Sequence, residues 1–294
     1  MYSNTIRKLM DAESMRLNIL TQNRQKLIWK QESYRSVIDS LKAFQSNVLS
    51  VTNIPGGIGF FVTGYNELID ALNAEYRAQR PMTDKRSYYE PLTDAQRKTM
   101  SEAEISDWER NARAGLNYND SIIGGIASQL RDMLCRPVIL GDGTRISLCE
   151  AGITTPPKGE PERISLDEDR FNETLGESPG TITLAFTKPS GIPASDKARK
   201  NERLNDSGII GRLNDIINWA VTAGGPLYEK AGVPGTGSAL GNEMSRQIKA
   251  QDDKIYDLTQ YLYKKENEYY NMFAKLEDAM TSATDQIGAL QGLM

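Results

Sequence analysis

Residues 244–290 read MSRQIKAQDDKIYDLTQYLYKKENEYYNMFAKLEDAMTSATDQIGAL, and the spacing of their apolar side chains decides the fold. Met244, Ile248, Ile255, Leu258, Leu262, Tyr269, Met272, Leu276, Ala279, Ala283, Ile287 and Leu290 climb a ladder of threes and fours. Near the other end, Ile6, Met10, Leu17, Leu20, Leu27, Tyr34, Ile38, Leu41 and Val48 climb a second one. A repeat of this kind sets apolar side chains along a seam that drifts slowly around a helix, so a partner helix must cover it. At about 1.5 Å per residue each arm spans roughly 70–80 Å. Two such arms at opposite ends of one chain can run antiparallel and cover each other. The expected fold is mainly α with a small α+β part. Long antiparallel coiled-coil arms from the two termini (1–53 and 240–294) would flank a compact helical and short-strand body (54–239).

Composition narrows the function. The 294 residues carry a net charge of −4, with 39 acidic and 35 basic side chains, so no basic footprint for nucleic acid or anionic lipid is present. No apolar run nears the ~20 residues of a membrane span, and the N-terminus has no charged-then-apolar signal. Histidine is absent, which removes Ser-His-Asp and Cys-His pairs, the usual neutral-pH base and every histidine metal site. Cys135 and Cys149 are too few for a thiolate zinc site; one disulfide and two buried small side chains are both open readings.

Between the arms the chain is well punctuated. Asn53-Ile54-Pro55-Gly56-Gly57-Ile58-Gly59 is a breaker-rich reversal, after which Val62, Tyr65, Leu68, Ile69 and Leu72 resume a helical period. Thr93 with Gln96, Ser101 with Glu104 and Ser165 with Glu168 have capping-box spacing. Asp120 caps a helix through Ile122, Ile126, Leu130 and Leu134. Arg145–Cys149, Glu162–Leu166 and Thr181–Phe186 read as short strands, and the polar stretch 188–207 as a mobile loop. Gly208–Val221 is again helical, and the Gly/Pro-rich 224–241 links it to the last arm.

No enzyme site emerges. Asp167, Glu168 and Asp169 start a helix and lack the spacing of a calcium loop. Gly232-Val233-Pro234-Gly235-Thr236-Gly237 has no following Gly-Lys-Ser/Thr and reads as linker. No cofactor is expected. Trp29, Trp108 and Trp219 sit beside apolar neighbours and read as packing residues. Tyr261, Tyr263 and Tyr270 fall off the seam, facing another helix or subunit. The last arm also changes character along its length: residues 252–278 are rich in Asp, Lys and Glu, whereas 279–294 hold one charge, Asp285. A helix that loses its polar face needs fuller burial, so this tip is expected to insert into an assembly.

Several stretches resemble one family in order. Arg7-Lys8-Leu9-Met10-Asp11-Ala12-Glu13 and Lys30-Gln31-Glu32-Ser33-Tyr34-Arg35 look like the opening arm of the flagellar filament-capping protein family, the type 2 hook-associated proteins. Phe61-Val62-Thr63-Gly64-Tyr65-Asn66-Glu67-Leu68-Ile69 is similar to its most recognisable internal stretch. Tyr89–Asp94, Trp108-Glu109, Ala151–Thr155, Gly208–Leu213 and Lys264-Lys265-Glu266 with Phe273, Leu276, Glu277 and Met280 follow. The family's large β-rich domains between first arm and Phe-Val helix, and its short leader, have no counterpart here; a minimal member and a trimmed one are the two expectations, the tight Pro-Gly-Gly junction favouring trimming.

The resemblance implies a non-enzymatic assembly factor at the tip of the bacterial flagellum, extracellular and exported without a cleaved signal. It implies a homo-oligomeric ring, most often a pentamer. Flagellin, the hook-filament junction proteins and an export chaperone are the implied partners, with neither nucleic acid nor membrane. Ile6, Met10, Leu17, Leu20, Met280, Ala283, Ile287, Leu290 and Leu293 are the expected filament or subunit interface. An intracellular coiled-coil adaptor binding partner helices is the competing reading.

Overall fold

The computed structural model describes residues 2–50, 57–155 and 163–291. Two long helices dominate: α1 (Tyr2–Asn47) and α12 (Glu243–Gln291). They lie antiparallel in a single register, which two polar contacts define. Gln31 Nε2 donates to Ser245 Oγ at 2.9 Å, and seven residues toward the N-terminus Arg24 pairs with Asp252, seven further along α12. The apolar ladders therefore face each other, as their period requires.

The body is packed around the base of this hairpin. Helix α2 (Ile58–Tyr76) buries Phe61, Tyr65, Leu68, Ile69 and Leu72 against the C-terminal half of α1. Phe44 meets the edges of Phe61 and Tyr65 at centroid distances of 6.4 and 6.3 Å, and Phe61 meets Phe186 at 5.6 Å. Helices α3 (Asp94–Arg97) and α4 (Glu102–Arg113) start with the two expected capping boxes, Thr93 with Gln96 and Ser101 with Glu104. Asp120 caps α5 (Ser121–Cys135), accepting from the amides of Ile122 and Ile123. Two small antiparallel ribbons follow. In the first, β1 (Val138–Ile139) pairs with β2 (Arg145–Ile146); in the second, β3 (Ile153–Thr154) pairs with β4 (Ser165–Leu166). Asn66 extends the second ribbon, its side chain exchanging two 2.8 Å bonds with the backbone of Ile164.

Three local readings are corrected. The stretch Thr181–Phe186 is not a strand but lies in α7 (Pro179–Thr187), where Ile182, Ala185 and Phe186 are buried one helical turn apart. Proline at the helix start and burial by neighbouring helices outweigh the β-branched composition. Helix α6 (Glu168–Glu177) is capped by Asp167, which accepts from the Arg170 amide, and not by Ser165, which is held in β4. Within 188–207, residues Lys197–Arg199 form a 3₁₀ turn and Lys200–Asp206 form α8, with Leu204 buried. Asp206 anchors this stretch by accepting from Lys188, Ser190 and the Gly191 amide. Those donors, Lys188 first, hold its carboxyl at about 2.

Helix α9 (Ile209–Val221) crosses α5 and α7, and α10 (Pro226–Ala231) and α11 (Ser238–Gly241) return the chain to α12. Within α9, Arg212 is fully buried, and its partners among the described residues are backbone carbonyls. Its guanidinium donates to the carbonyls of Met133, Arg136, Pro137 and Asn205, at 3.3, 2.6, 3.1 and 3.3 Å. It thus satisfies the carbonyl end of α5 and the chain before α9, where a cation is favoured by the helix dipole. Burial, with Arg136 nearby, lowers the group to about 10, so it stays charged at neutral pH. Arg212→Met keeps the aliphatic stem but leaves those carbonyls without a donor. We expect a loss of about 2–4 kcal/mol in urea unfolding; an unchanged midpoint would contradict this role.

A hairpin leg and its exposed tip as candidate docking surface

The sequence Lys30-Gln31-Glu32-Ser33-Tyr34-Arg35 is the node where the leg meets the body, the five residues from Gln31 onward together reaching α2, α4, α5 and the α10–α12 corner. Gln31 donates to Asn242 Oδ1 and Ser245 Oγ of the α11–α12 corner. Glu32 pairs with Arg113 at 3.1 Å, and Arg113 lies over the Trp29 ring. Ser33 donates to Glu75 of α2 and accepts from Asn117 Nδ2. Tyr34 donates to Asp120, the cap of α5. Arg35 donates to the carbonyls of Ala231 and Ala239. Helical periodicity fans consecutive side chains around α1, so one short stretch reaches the whole ring of elements packed about it.

Outward from this node the body clasps α1 as far as Gln22, whose amide donates to the Pro91 carbonyl at 2.7 Å. Lys26 pairs with Glu90 at 2.8 Å, and the Trp108 indole N–H donates to the Glu90 carbonyl, also at 2.8 Å. No body contact of this kind is recorded beyond Gln22 among the described residues, and the leg continues as a two-helix hairpin. Continuing the Gln31–Ser245 register sets Ile6 level with Tyr270 and Tyr2 level with Ala274. Past that level no described residue of α1 stands opposite α12, and every described side chain from Ala274 through Gly288 is exposed.

The expected interface residues therefore separate into two groups. Ile6 is buried, and Met10, Leu17 and Leu20 are half-buried along the seam, where they hold α1 to α12. Met280 and Ile287 are 57% and 56% exposed, and Ala283 is exposed too. Leu276, Met280, Ala283 and Ile287 continue the same three-four ladder that α1 covers lower down. The side chain of Leu290 and all of Leu293 lie outside the described residues. The structure does not bring the two groups into one patch, because the register sets them apart along the leg.

Other candidate chemistry is accounted for. Cys135 and Cys149 are unpaired; Cys149 is exposed, and the Cys135 sulfur sits 3.2 Å from the Thr155 hydroxyl. Trp29 is buried and Trp108 half-buried, while Trp219 is 37% exposed beneath the Lys200 ammonium. Among the described residues no group of three or more carboxylates and thiols converges on one point, and no helix is long and apolar enough to cross a membrane. Sequence reasoning missed Gln31, Asn66 and Arg212 as individual determinants, because their partners lie far along the chain.

A long two-helix leg on a compact body, with an apolar stripe exposed at its end, defines an elongated helical assembly subunit. Residues 2–59 match the family model for the flagellar hook-associated protein 2 N-terminus, and residues 50–285 match that for its C-terminus. The chain belongs to the flagellar hook-associated protein 2 family. It is 28% identical over 243 residues to flagellar hook-associated protein 2 of Halalkalibacterium halodurans, covering 76% of this chain and 43% of that protein. A second relative of that name, from Borreliella burgdorferi, is 21% identical over 175 residues, covering 58% of this chain and 24% of the relative. The chain thus spans less than half the length of the curated relatives it matches.

The node makes a testable claim about pH. Burial, and then the bond to Asp120, raise the Tyr34 phenol above its ordinary value of 10.0. A raised folded-state value means the stabilisation is complete below pH 10 and is lost progressively above it. Tyr34→Phe should cost about 1.5–3 kcal/mol at pH 7 by removing one hydrogen bond to a charged group. The gap between variant and parent should narrow above pH 10 in urea titrations; a gap that widens there would be inconsistent with this assignment.

Proposed function

We propose that this chain is a structural assembly factor that caps the distal end of a bacterial flagellum, acting as a ring of identical copies. The observation that carries this reading is the exposed continuation of the α12 seam, Leu276–Met280–Ala283–Ile287, on a chain of this family. Exposed apolar heptad positions are satisfied by another helix, and a helical filament subunit or hook-junction protein supplies one. The legs grip the filament end through these tips, and the bodies form the plate above. Emerging flagellin is held beneath the plate until it folds into place, so the tip must engage and release.

The tip's composition suits that cycle. Residues 279–291 are rich in Ala, Ser, Thr, Gly and Gln, which permit close helix approach without a deep hydrophobic lock. Export proceeds through the flagellar channel without a cleaved signal, and an export chaperone covers the sticky end beforehand. These steps concern the whole assembly and rest on kinship together with the exposed tip.

Truncation after Met280 removes Ala283 and Ile287 while leaving the seam below Phe273 intact. Cells carrying it should secrete the protein yet shed flagellin into the medium and carry few or short filaments. Normal filaments and no shed flagellin would defeat the docking role. A parent protein retained inside cells in a strain able to export would instead favour the adaptor reading.

A further inference from the structure

One flank of the leg is unlike the surface of a solvated coiled coil. Positions 256, 259, 263, 267, 270 and 274 recur every three or four residues and so form a single strip along α12. They are Tyr256, Thr259, Tyr263, Asn267, Tyr270 and Ala274, all exposed and none charged. Tyr256 and Tyr263 are 65% and 66% exposed. The rest of residues 253–276 carries eight charged side chains: Asp253, Lys254, Asp257, Lys264, Lys265, Glu266, Glu268 and Lys275. Flanks beside a two-helix seam are ordinarily charged, whereas tyrosine enrichment with charge depletion marks the centre of a protein interface.

Helix α1 has a matching feature on another face. Ala12, Met15 and Ile19 follow the same spacing on the side turned away from the seam residues Met10, Leu17 and Leu20. Met15 and Ile19 are 65% and 56% exposed. The register set by Gln31 and Arg24 brings Ala12, Met15 and Ile19 level with Lys264, Tyr261 and Asp257, which is the stretch holding Tyr256 and Tyr263. The aliphatic patch and the Tyr256–Tyr263 part of the strip therefore occupy one height on different faces of one leg.

From this level match we propose that neighbouring legs pack side by side, the Tyr256–Tyr263 part of the strip of one copy against Ala12, Met15 and Ile19 of the next. This rests on the ring reading above. Rotation about an axis parallel to the legs preserves height, so two different patches can meet around a closed ring only if they lie level. A foreign partner would need just one patch, with no match in height. The contact is heterologous, tyrosine strip to aliphatic patch, and it sets the legs parallel with their tips pointing the same way.

The test is disulfide trapping in the full chain with Cys135 and Cys149 replaced by serine. Met15→Cys with Tyr263→Cys in one chain should give, under mild oxidation, a ladder of covalent multimers ending at the ring size. Equal mixtures of the two single variants should give a dimer, and neither single variant alone should. Dimers from a single variant alone would show like patches meeting and overturn the proposal. A ring intact by native mass spectrometry but without cross-links would overturn the leg contact and leave the cap reading standing; absence of any ring in the parent would sink both. Tyr263→Asp should also weaken ring assembly at least tenfold in concentration while leaving the helical circular-dichroism signal unchanged.

Discussion

The rest of the structure depends on the antiparallel seam between α1 and α12 and on the one register in which it closes. An apolar heptad seam alone tolerates sliding by whole heptads, since each position presents similar side chains. Gln31 removes that freedom. It is buried, and its amide donates to Asn242 and Ser245 at the start of α12 and to the Ala231 carbonyl of α10, so one register of α12 completes the set. A slip of one heptad would strand those polar groups away from water at a cost of about 1–3 kcal/mol each, which no apolar contact would offset. Asn242 in turn accepts the Ser245 amide at the start of α12 while donating to the Ser238 and Ala239 carbonyls. The corner that starts the last helix and the register of the whole leg are thus one device.

Burial then follows a gradient along that leg. At its base the neighbours are α2, α9, α10 and the clasp of residues 77–119, and Tyr34, Ile38 and Leu41 are almost completely enclosed. Beyond Gln22 only the paired helix remains, and the seam residues are mostly half-buried. Beyond Ala274 no described residue of α1 stands opposite, and the described side chains are exposed. Local stability should fall in the same order, since opening free energy tracks buried apolar contact. The end of the molecule assigned to docking is therefore the end most free to adjust its shape to a moving filament, while the node keeps the leg aimed.

Much of this was legible in the sequence, for a stated reason in each case. The two arms were readable because a repeat sustained over many turns admits one packing solution. The Thr93 and Ser101 caps were readable because both partners lie within four residues. The failures share the opposite property. Asn66, Gln31 and Arg212 act on groups tens to hundreds of residues away, so nothing local marks them. The stretch Thr181–Phe186 reads as a strand in the sequence although it lies in α7, because an apolar run buried on several sides loses its period. The segment 188–207 is polar enough to suggest a free loop, yet Asp206 accepts from Lys188, Ser190 and Gly191 while Arg203 pairs with Asp215 at 2.7 Å. For the docking surface, the ladders marked Ile6–Leu20 and Met280–Ile287 alike. Only the register shows that the first group faces α12, whereas Met280, Ala283 and Ile287 are exposed.

Hydrogen exchange along α12, with and without filament ends, tests the central claim most directly. In the free protein, amides of residues 243–262 should exchange slowly and those of 276–291 fast, with the transition near the level of Tyr2. On docking, protection should appear in 276–291 and leave the base unchanged. Slow exchange throughout α12 in the free protein, or docking without new protection at the tip, would contradict the account.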